Sequence, residues 1–174
     1  MNRRKKDLII RTVADVGLTI LPNLGGLAGG YFTRKSIKTW YETLKKPEWR
    51  PPNWVFAPVW TSLYTGMGYA SYLVYKEGGG FNGPAKLPLI AYGTQLALNW
   101  AWTPIFFGYK NVKWGFYAIL ALDVSVVTCG IMFAEVNKTA GLLFIPYVMW
   151  LSVATALSYC IQRDNPEDGK IKEL

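Results

Sequence analysis

The chain has 174 residues, enough for a single domain spanning 1–174, and is 51% hydrophobic, 16% aromatic and only 17% charged. That balance excludes disorder, which needs few aromatics and much charge. The complete absence of His excludes Ser-His or Cys-His nucleophile pairs, His-ligated zinc or haem, and a His proton switch, so no cofactor and no metal site is expected.

The net charge of +8 comes from basic clusters set between long apolar runs: Arg3 to Lys6, then Arg34, Lys35 and Lys38, then Lys45, Lys46 and Arg50. This is a membrane pattern rather than a nucleic-acid face. The basic start does not read as a secretory signal, because Asp15 interrupts the following run and no cleavage site closes it. A transmembrane helix needs about 20 mostly apolar residues. Five segments qualify, at 13–32, 54–75, 87–107, 114–134 and 142–162. The runs are continuous rather than alternating, which predicts helices instead of barrel strands. The expectation is an all-α membrane protein, a five-transmembrane-helix bundle.

Between the first two spans lies one long loop, 35–53, closed by Pro47, Pro51 and Pro52. Its Trp40, Tyr41, Leu44 and Trp49 predict an ordered segment capping the bundle. The second loop is glycine-rich (Gly78, Gly79, Gly80, Gly83), and the third and fourth are short enough to force antiparallel neighbours. Lys and Arg are slightly more numerous on the side of loop one, loop three and the C-tail, which favours a cytosolic C-terminus. Pro22, Pro58, Pro104 and Pro146 fall in or at the edges of spans. Gly25, Gly26, Gly29 and Gly30 form two overlapping small-xxx-small pairs, suited to a dimer face or to an internal helix crossing. Gln95 and Asn99, one turn apart on the third span, are placed to bridge helices. Asp123 sits mid-way in the fourth, where a carboxylate belongs against the bundle interior or in its protonated form. Cys129 and Cys160 read as free thiols. Asn137-Lys138-Thr139 is a formal glycosylation sequon in a very short loop, and Lys170 and Lys172 resemble a dilysine retrieval signal.

On the fifth span Trp150, Ala154 and Leu157 share one face, an aromatic wall beside a small residue. With Trp60, Trp100, Trp102 and Trp114 they suit either a cleft for a flat apolar ligand or ordinary packing with an interfacial aromatic belt. Leu157, Tyr159 and Arg163 fit the short pattern proposed for cholesterol contact.

Longer stretches carry a resemblance. They are Trp40-Tyr41, the run from Lys46 to Trp60 (KPEWRPPNWVFAPVW), Met67 to Val74 (MGYASYLV), Gln95 to Trp102 (QLALNWAW), Pro146-Tyr147 with Trp150, and Tyr159 with Arg163-Asp164-Asn165. Over about 22–165 the chain resembles the translocator protein family, also called peripheral benzodiazepine receptors or tryptophan-rich sensory proteins, in its animal-like branch. The resemblance implies an often dimeric bundle whose long first loop closes over a pocket. That pocket takes cholesterol, porphyrins or haem, and synthetic ligands of the benzodiazepine and isoquinoline type. It implies Ala57, Trp114, Trp150, Ala154 and Leu157 as pocket residues, Leu157, Tyr159 and Arg163 as the cholesterol motif, and Trp60 and Trp150 as residues linked to porphyrin photo-degradation. It places the protein in the outer mitochondrial membrane, with the endoplasmic reticulum as the alternative. It also leaves two other functions open, a light- and oxygen-dependent porphyrin-degrading enzyme and a membrane scaffold. The chain departs from the animal pattern at Arg50 and Asn53, where His is common, and at Tyr117 and Ala121 in the pocket. Of the third-helix glycine spacing that some relatives use to dimerise, only Gly93 remains.

Overall fold

A computed structural model describes residues 3–166, and side chains from Gly17 onward except Phe32 and Lys35. The described residues form helices α1 (Arg3–Thr39), α2 (Asn53–Glu77), α3 (Lys86–Thr103), α4 (Val112–Val136), α5 (Lys138–Leu142) and α6 (Ile145–Asp164). At 1.5 Å per residue, α2 and α4 are each roughly 37 Å long, enough to cross a hydrocarbon core of about 30 Å. Two segments, Val112–Val136 and the nearly continuous Lys138–Asp164, are apolar enough to be assigned as spans on hydropathy alone. The others carry Trp, Tyr and Pro, which weigh little on hydropathy scales yet pack like apolar groups. The lysines at 170 and 172 and the side chains of Arg3 to Lys6 and Asp15 lie outside what is described.

Local chemistry sets the boundaries. Helix α1 runs to Thr39, seven residues beyond the expected end at 32, because the segment after it contains helix-compatible Arg, Lys and Ser and places Lys38 in the last turn, where a cation suits the helix dipole. The first loop is correspondingly shorter than 35–53: it begins at Trp40 with a 3-10 turn, Tyr41–Thr43, and ends at Pro52. Helix α3 closes in a π turn, Pro104–Gly108, in which the Tyr109 N–H donates to the Pro104 carbonyl at 2.9 Å. Asn111 caps α4 by accepting from the Trp114 N–H, and Asn137 caps α5 by accepting from the Ala140 N–H. The sequon asparagine thus has a structural task. Gly79 and Gly80 take φ of 69° and 66° in the second loop, a region that L side chains avoid.

The packing is that of a membrane bundle. The outer faces carry large apolar side chains, with Leu27 74% and Val124 69% exposed and Leu24, Leu87, Ile90, Ile131 and Met149 exposed as well. An apolar surface of that extent fits lipid, not water. The interior is mostly apolar as well, but a chain of polar groups runs through it. Tyr64 on α2 donates to Asn99 Oδ1 at 2.5 Å, Asn99 Nδ2 donates to the Tyr147 hydroxyl at 2.7 Å, and Tyr147 donates to Gln95 Oε1 at 3.3 Å. Gln95 and Asn99 are buried, so this chain fastens α2, α3 and α6 to one another across the core. Asp123 is half-buried at the seam of α4 and α6, where it accepts from the Thr155 hydroxyl at 2.7 Å.

The small residues of α1 serve internal crossings. A Cβ at Gly25 would run into the Trp100 indole, one at Gly26 would lie 2.7 Å from the Tyr64 ring, and one at Gly29 would lie 3.3 Å from Thr103. Across from them, a Cβ on Gly68 of α2 would strike the Thr19 carbonyl of α1. Gly30 and, on the outer face of α3, Gly93 have open space around them. Both cysteines are free thiols, Cys129 buried and Cys160 half-buried.

Candidate ligand-binding site

The end of the bundle that carries loop one is built as an aromatic plug. Trp40, Tyr41 and Leu44 of the loop are buried against Phe106, Val112, Leu157 and Ile161. Trp40 meets Phe106 edge-on at 5.5 Å between ring centroids, and Trp102 stacks on Phe106 at 4.9 Å. The Trp102 indole donates to the Gly115 carbonyl at 2.9 Å. Gly115 is required there, since a Cβ would sit 2.5 Å from the Phe106 ring.

Hydrogen bonds lock this loop shut. The Lys45 N–H donates to Asn165 Oδ1 and Asn165 Nδ2 donates back to the Lys45 carbonyl, both at 3.0 Å. The Lys46 ammonium gathers the carbonyls of Tyr41, Glu42 and Leu44 at 2.6–3.1 Å and lies over the Tyr41 ring. Arg50 donates to Asn53, which donates to Glu42. Ser36 at the end of α1 donates to the Phe107 carbonyl at 2.8 Å. Burial raises the Tyr41 phenol above its ordinary value, so it stays neutral under the loop.

Two open grooves lie on the flanks. The first, of about 640 Å³, runs along α4 and is lined by Ile105, Tyr109, Asn111, Trp114, Tyr117, Ala118 and Ala121. Trp114 is 64% exposed and forms an aromatic wall with Tyr117, their centroids 6.1 Å apart, over a floor of two alanines. The second, of about 580 Å³, lies between α2 and α6 and includes Pro58, Val59, Leu63, Pro146, Met149 and Trp150. Behind it Trp150 packs on Phe56 at 5.4 Å, while Trp60 meets Tyr64 at 5.5 Å and Tyr147 at 6.0 Å. Both volumes fall in the roughly 300–1,000 Å³ range of small-molecule sites.

The structure distributes the residues singled out from the sequence instead of gathering them in one cavity. Trp114 lines the α4 groove and Trp150 the α2–α6 groove. Leu157 is buried beneath loop one, Ala154 packs half-buried against the core, and Ala57 is exposed on α2. Trp60 is half-buried beside the Tyr64–Asn99–Tyr147 chain. The cholesterol motif splits as well. Residues i and i+2 on a helix point about 200° apart, so Leu157 faces inward while Tyr159 faces outward beside Phe116. Arg163 stands one turn beyond Tyr159 and pairs with Asp164 at 2.7 Å. Tyr109, Asn111 and Ile105 of the α4 groove, and the Lys45–Asn165 lock, escape sequence reasoning. They come from irregular segments without periodicity, and only the π turn and the Asn111 cap bring the groove residues together.

The profile of the TspO/MBR family matches residues 18–163. The chain belongs to the TspO/MBR family. It is similar to the Translocator protein of Homo sapiens, at 44% identity over 153 residues, covering 88% of this chain and 90% of that one. It is also similar to the Translocator protein of Bos taurus, at 43% with the same coverage. The Tryptophan-rich protein TspO of Archaeoglobus fulgidus is 38% identical over 136 residues, 78% of this chain and 86% of the relative. The matched region takes in every helix from the middle of α1 to the end of α6, so the TspO/MBR fold and the bundle described above coincide.

Proposed function

We propose that this protein is a membrane receptor for flat, largely apolar ligands, cholesterol and porphyrins or haem, and for synthetic ligands of the benzodiazepine and isoquinoline type. It works in sterol movement and tetrapyrrole handling at the outer mitochondrial membrane. The observation that carries the reading is the α4 groove, an exposed aromatic wall of Trp114 and Tyr117 over Ala118 and Ala121. Aromatic faces and small residues accept a flat ring system, and apolar walls with few polar groups are typical of ligand sites. The name Translocator protein, borne by the mammalian relatives, fits a role in moving a ligand. Side-by-side titration of purified protein in neutral detergent with cholesterol, protoporphyrin IX and an isoquinoline ligand tests it. Saturable binding is expected, and no saturable binding of any of the three sinks the reading.

Sterol contact is assigned to the outward pair Tyr159 and Arg163, a phenol and a guanidinium one turn apart at the end of α6 where a sterol hydroxyl reaches the interface. Leu157 supports them from within by anchoring loop one. Tyr159→Ser and Arg163→Leu are expected to weaken cholesterol binding several-fold while protoporphyrin binding and thermal stability hold. Unchanged sterol affinity in both variants removes the pair from the site.

A second reading, light- and oxygen-dependent porphyrin breakdown, is favoured by the cluster of oxidisable rings Trp60, Tyr64, Tyr147 and Trp150 around the α2–α6 groove. Illumination with protoporphyrin IX, followed by absorbance, is then expected to bleach the pigment more slowly with Trp150→Phe. Equal loss in both proteins rejects it.

A further inference from the structure

We propose that the outer seam of α4 and α6 docks a transmembrane helix of another protein, one that carries a lysine or arginine at the middle of the bilayer, and that Asp123 receives that cation. The seam lies apart from both grooves described above, neither of which Asp123 lines.

Depth is the first observation. Asp123 stands one residue from the centre of Val112–Val136, about 1.5 Å along the helix axis. Its hydrogen-bond donor, Thr155, lies at the centre of Ile145–Asp164. The carboxyl group is therefore at the midplane of the membrane, and it is half-buried, not enclosed. Oδ2 accepts from the Thr155 hydroxyl at 2.7 Å, while Oδ1 has no partner among the described residues. A charged side chain at this depth is costly, and such residues pair with one another or line a water-filled cavity. This chain supplies no counter-charge. Lys and Arg are absent from 12–33, 54–75, 87–109, 114–137 and 139–162, so no span carries one near its middle. A cation for Asp123 comes from another molecule.

The shape of the seam decides which kind of molecule. The two helices run antiparallel, with Phe116 against Tyr159 at one end and Gly130 facing Phe144 at the other. On α4, Leu120 and Val127 flank Asp123 at i−3 and i+4, and both are exposed. On α6, Ser152 and Ala156 are exposed one turn apart beside Thr155, small enough for another backbone to come close. The result is a shallow furrow along the membrane normal with a carboxyl group half-way down it. A phospholipid carries its ammonium at the interface, about 15 Å from the midplane of a core some 30 Å thick, and does not reach. A second copy of this chain has no cation at that depth and would bring another carboxyl there. A helix with a central Lys or Arg fits on both counts: it lies along the furrow, and its N–H groups donate to Oδ1.

The test places the full chain, with a donor dye at its N-terminus, in phosphatidylcholine vesicles with acceptor-labelled transmembrane peptides. The peptides are built of leucine and alanine, with a central lysine, glutamine or leucine, and energy transfer reports association. Wild type is expected to hold the lysine peptide about tenfold more tightly than the leucine peptide. Asp123→Asn, at unchanged helix content by circular dichroism, is expected to bring the two within about twofold, whereas Asp123→Glu keeps the preference. Ala156→Phe, which fills the furrow without touching the charge, is expected to weaken the lysine peptide to the same degree. Equal association of the lysine and leucine peptides with wild type overturns the proposal, and so does a preference that survives Asp123→Asn or Ala156→Phe. A glutamine peptide held as tightly as the lysine peptide overturns the cation. Energy transfer between two wild-type copies that Asp123→Asn abolishes assigns the seam to a second copy and overturns it as well.

Discussion

Trp40→Ala is expected to release loop one from the bundle. The indole is 1% exposed and packs edge-on against Phe106 and Phe107. Removing a buried Trp side chain costs about 3–5 kcal/mol, part of it the cavity left behind. Here the cavity is bounded by a segment that can swing away, so the loss is expected to appear as local opening before global unfolding. Trypsin is the measurement: Lys46 and Arg50 precede prolines and resist it, so the loop offers the single Lys45–Lys46 bond, and the variant is expected to be cut there many-fold faster than wild type. Trp40→Phe, which keeps an aromatic edge against Phe106, is expected to recover most of the protection. A Trp40→Ala protein as resistant as wild type places the hold on the loop elsewhere, in the Lys45–Asn165 hydrogen bonds.

The second large effect is expected at Asn99. Its side chain accepts from Tyr64 and donates to Tyr147 in the core, joining three helices. Asn99→Leu strands the buried Tyr64 hydroxyl, which costs about 1–3 kcal/mol, while Tyr147 keeps Gln95 as an acceptor. In a bundle surrounded by lipid no water enters to replace the lost partner. The expected result is a clear drop in thermal midpoint in detergent. The double variant Asn99→Leu/Tyr64→Phe, which removes the stranded hydroxyl too, is expected to regain much of it. If the double variant is no more stable than the single one, the loss comes from packing and not from the orphaned donor.

The spans were legible in the sequence because a run of about 20 apolar residues has one main solution in a bilayer. Gln95 and Asn99 were legible as helix bridges because a one-turn spacing fixes their shared face. The two faces of the Leu157–Tyr159–Arg163 pattern follow from the same helical arithmetic, yet a motif written as a string hides them. The glycines of α1 were readable as a close-approach surface but not as one turned inward; that required knowing that Trp100, Tyr64 and Thr103 stand opposite. The α4 groove was only partly visible. Trp114, Tyr117 and Ala121 are marked by helical position, whereas Ile105, Tyr109 and Asn111 reach it through a π turn and a bend, for which sequence offers no period to count.

The reciprocal bonds between Lys45 and Asn165 join positions 120 residues apart, and this has a consequence for biogenesis. Loop one is synthesised well before its seat on Leu157 and Ile161 and its tether at Asn165. At about 5–20 residues per second of translation, the aromatic side chains of the loop wait roughly ten seconds for the helix that covers them. Ribosome-stalled chains that stop short of α6 carry Trp40 and Tyr41 without that seat, so the loop closes only once α6 is in the membrane.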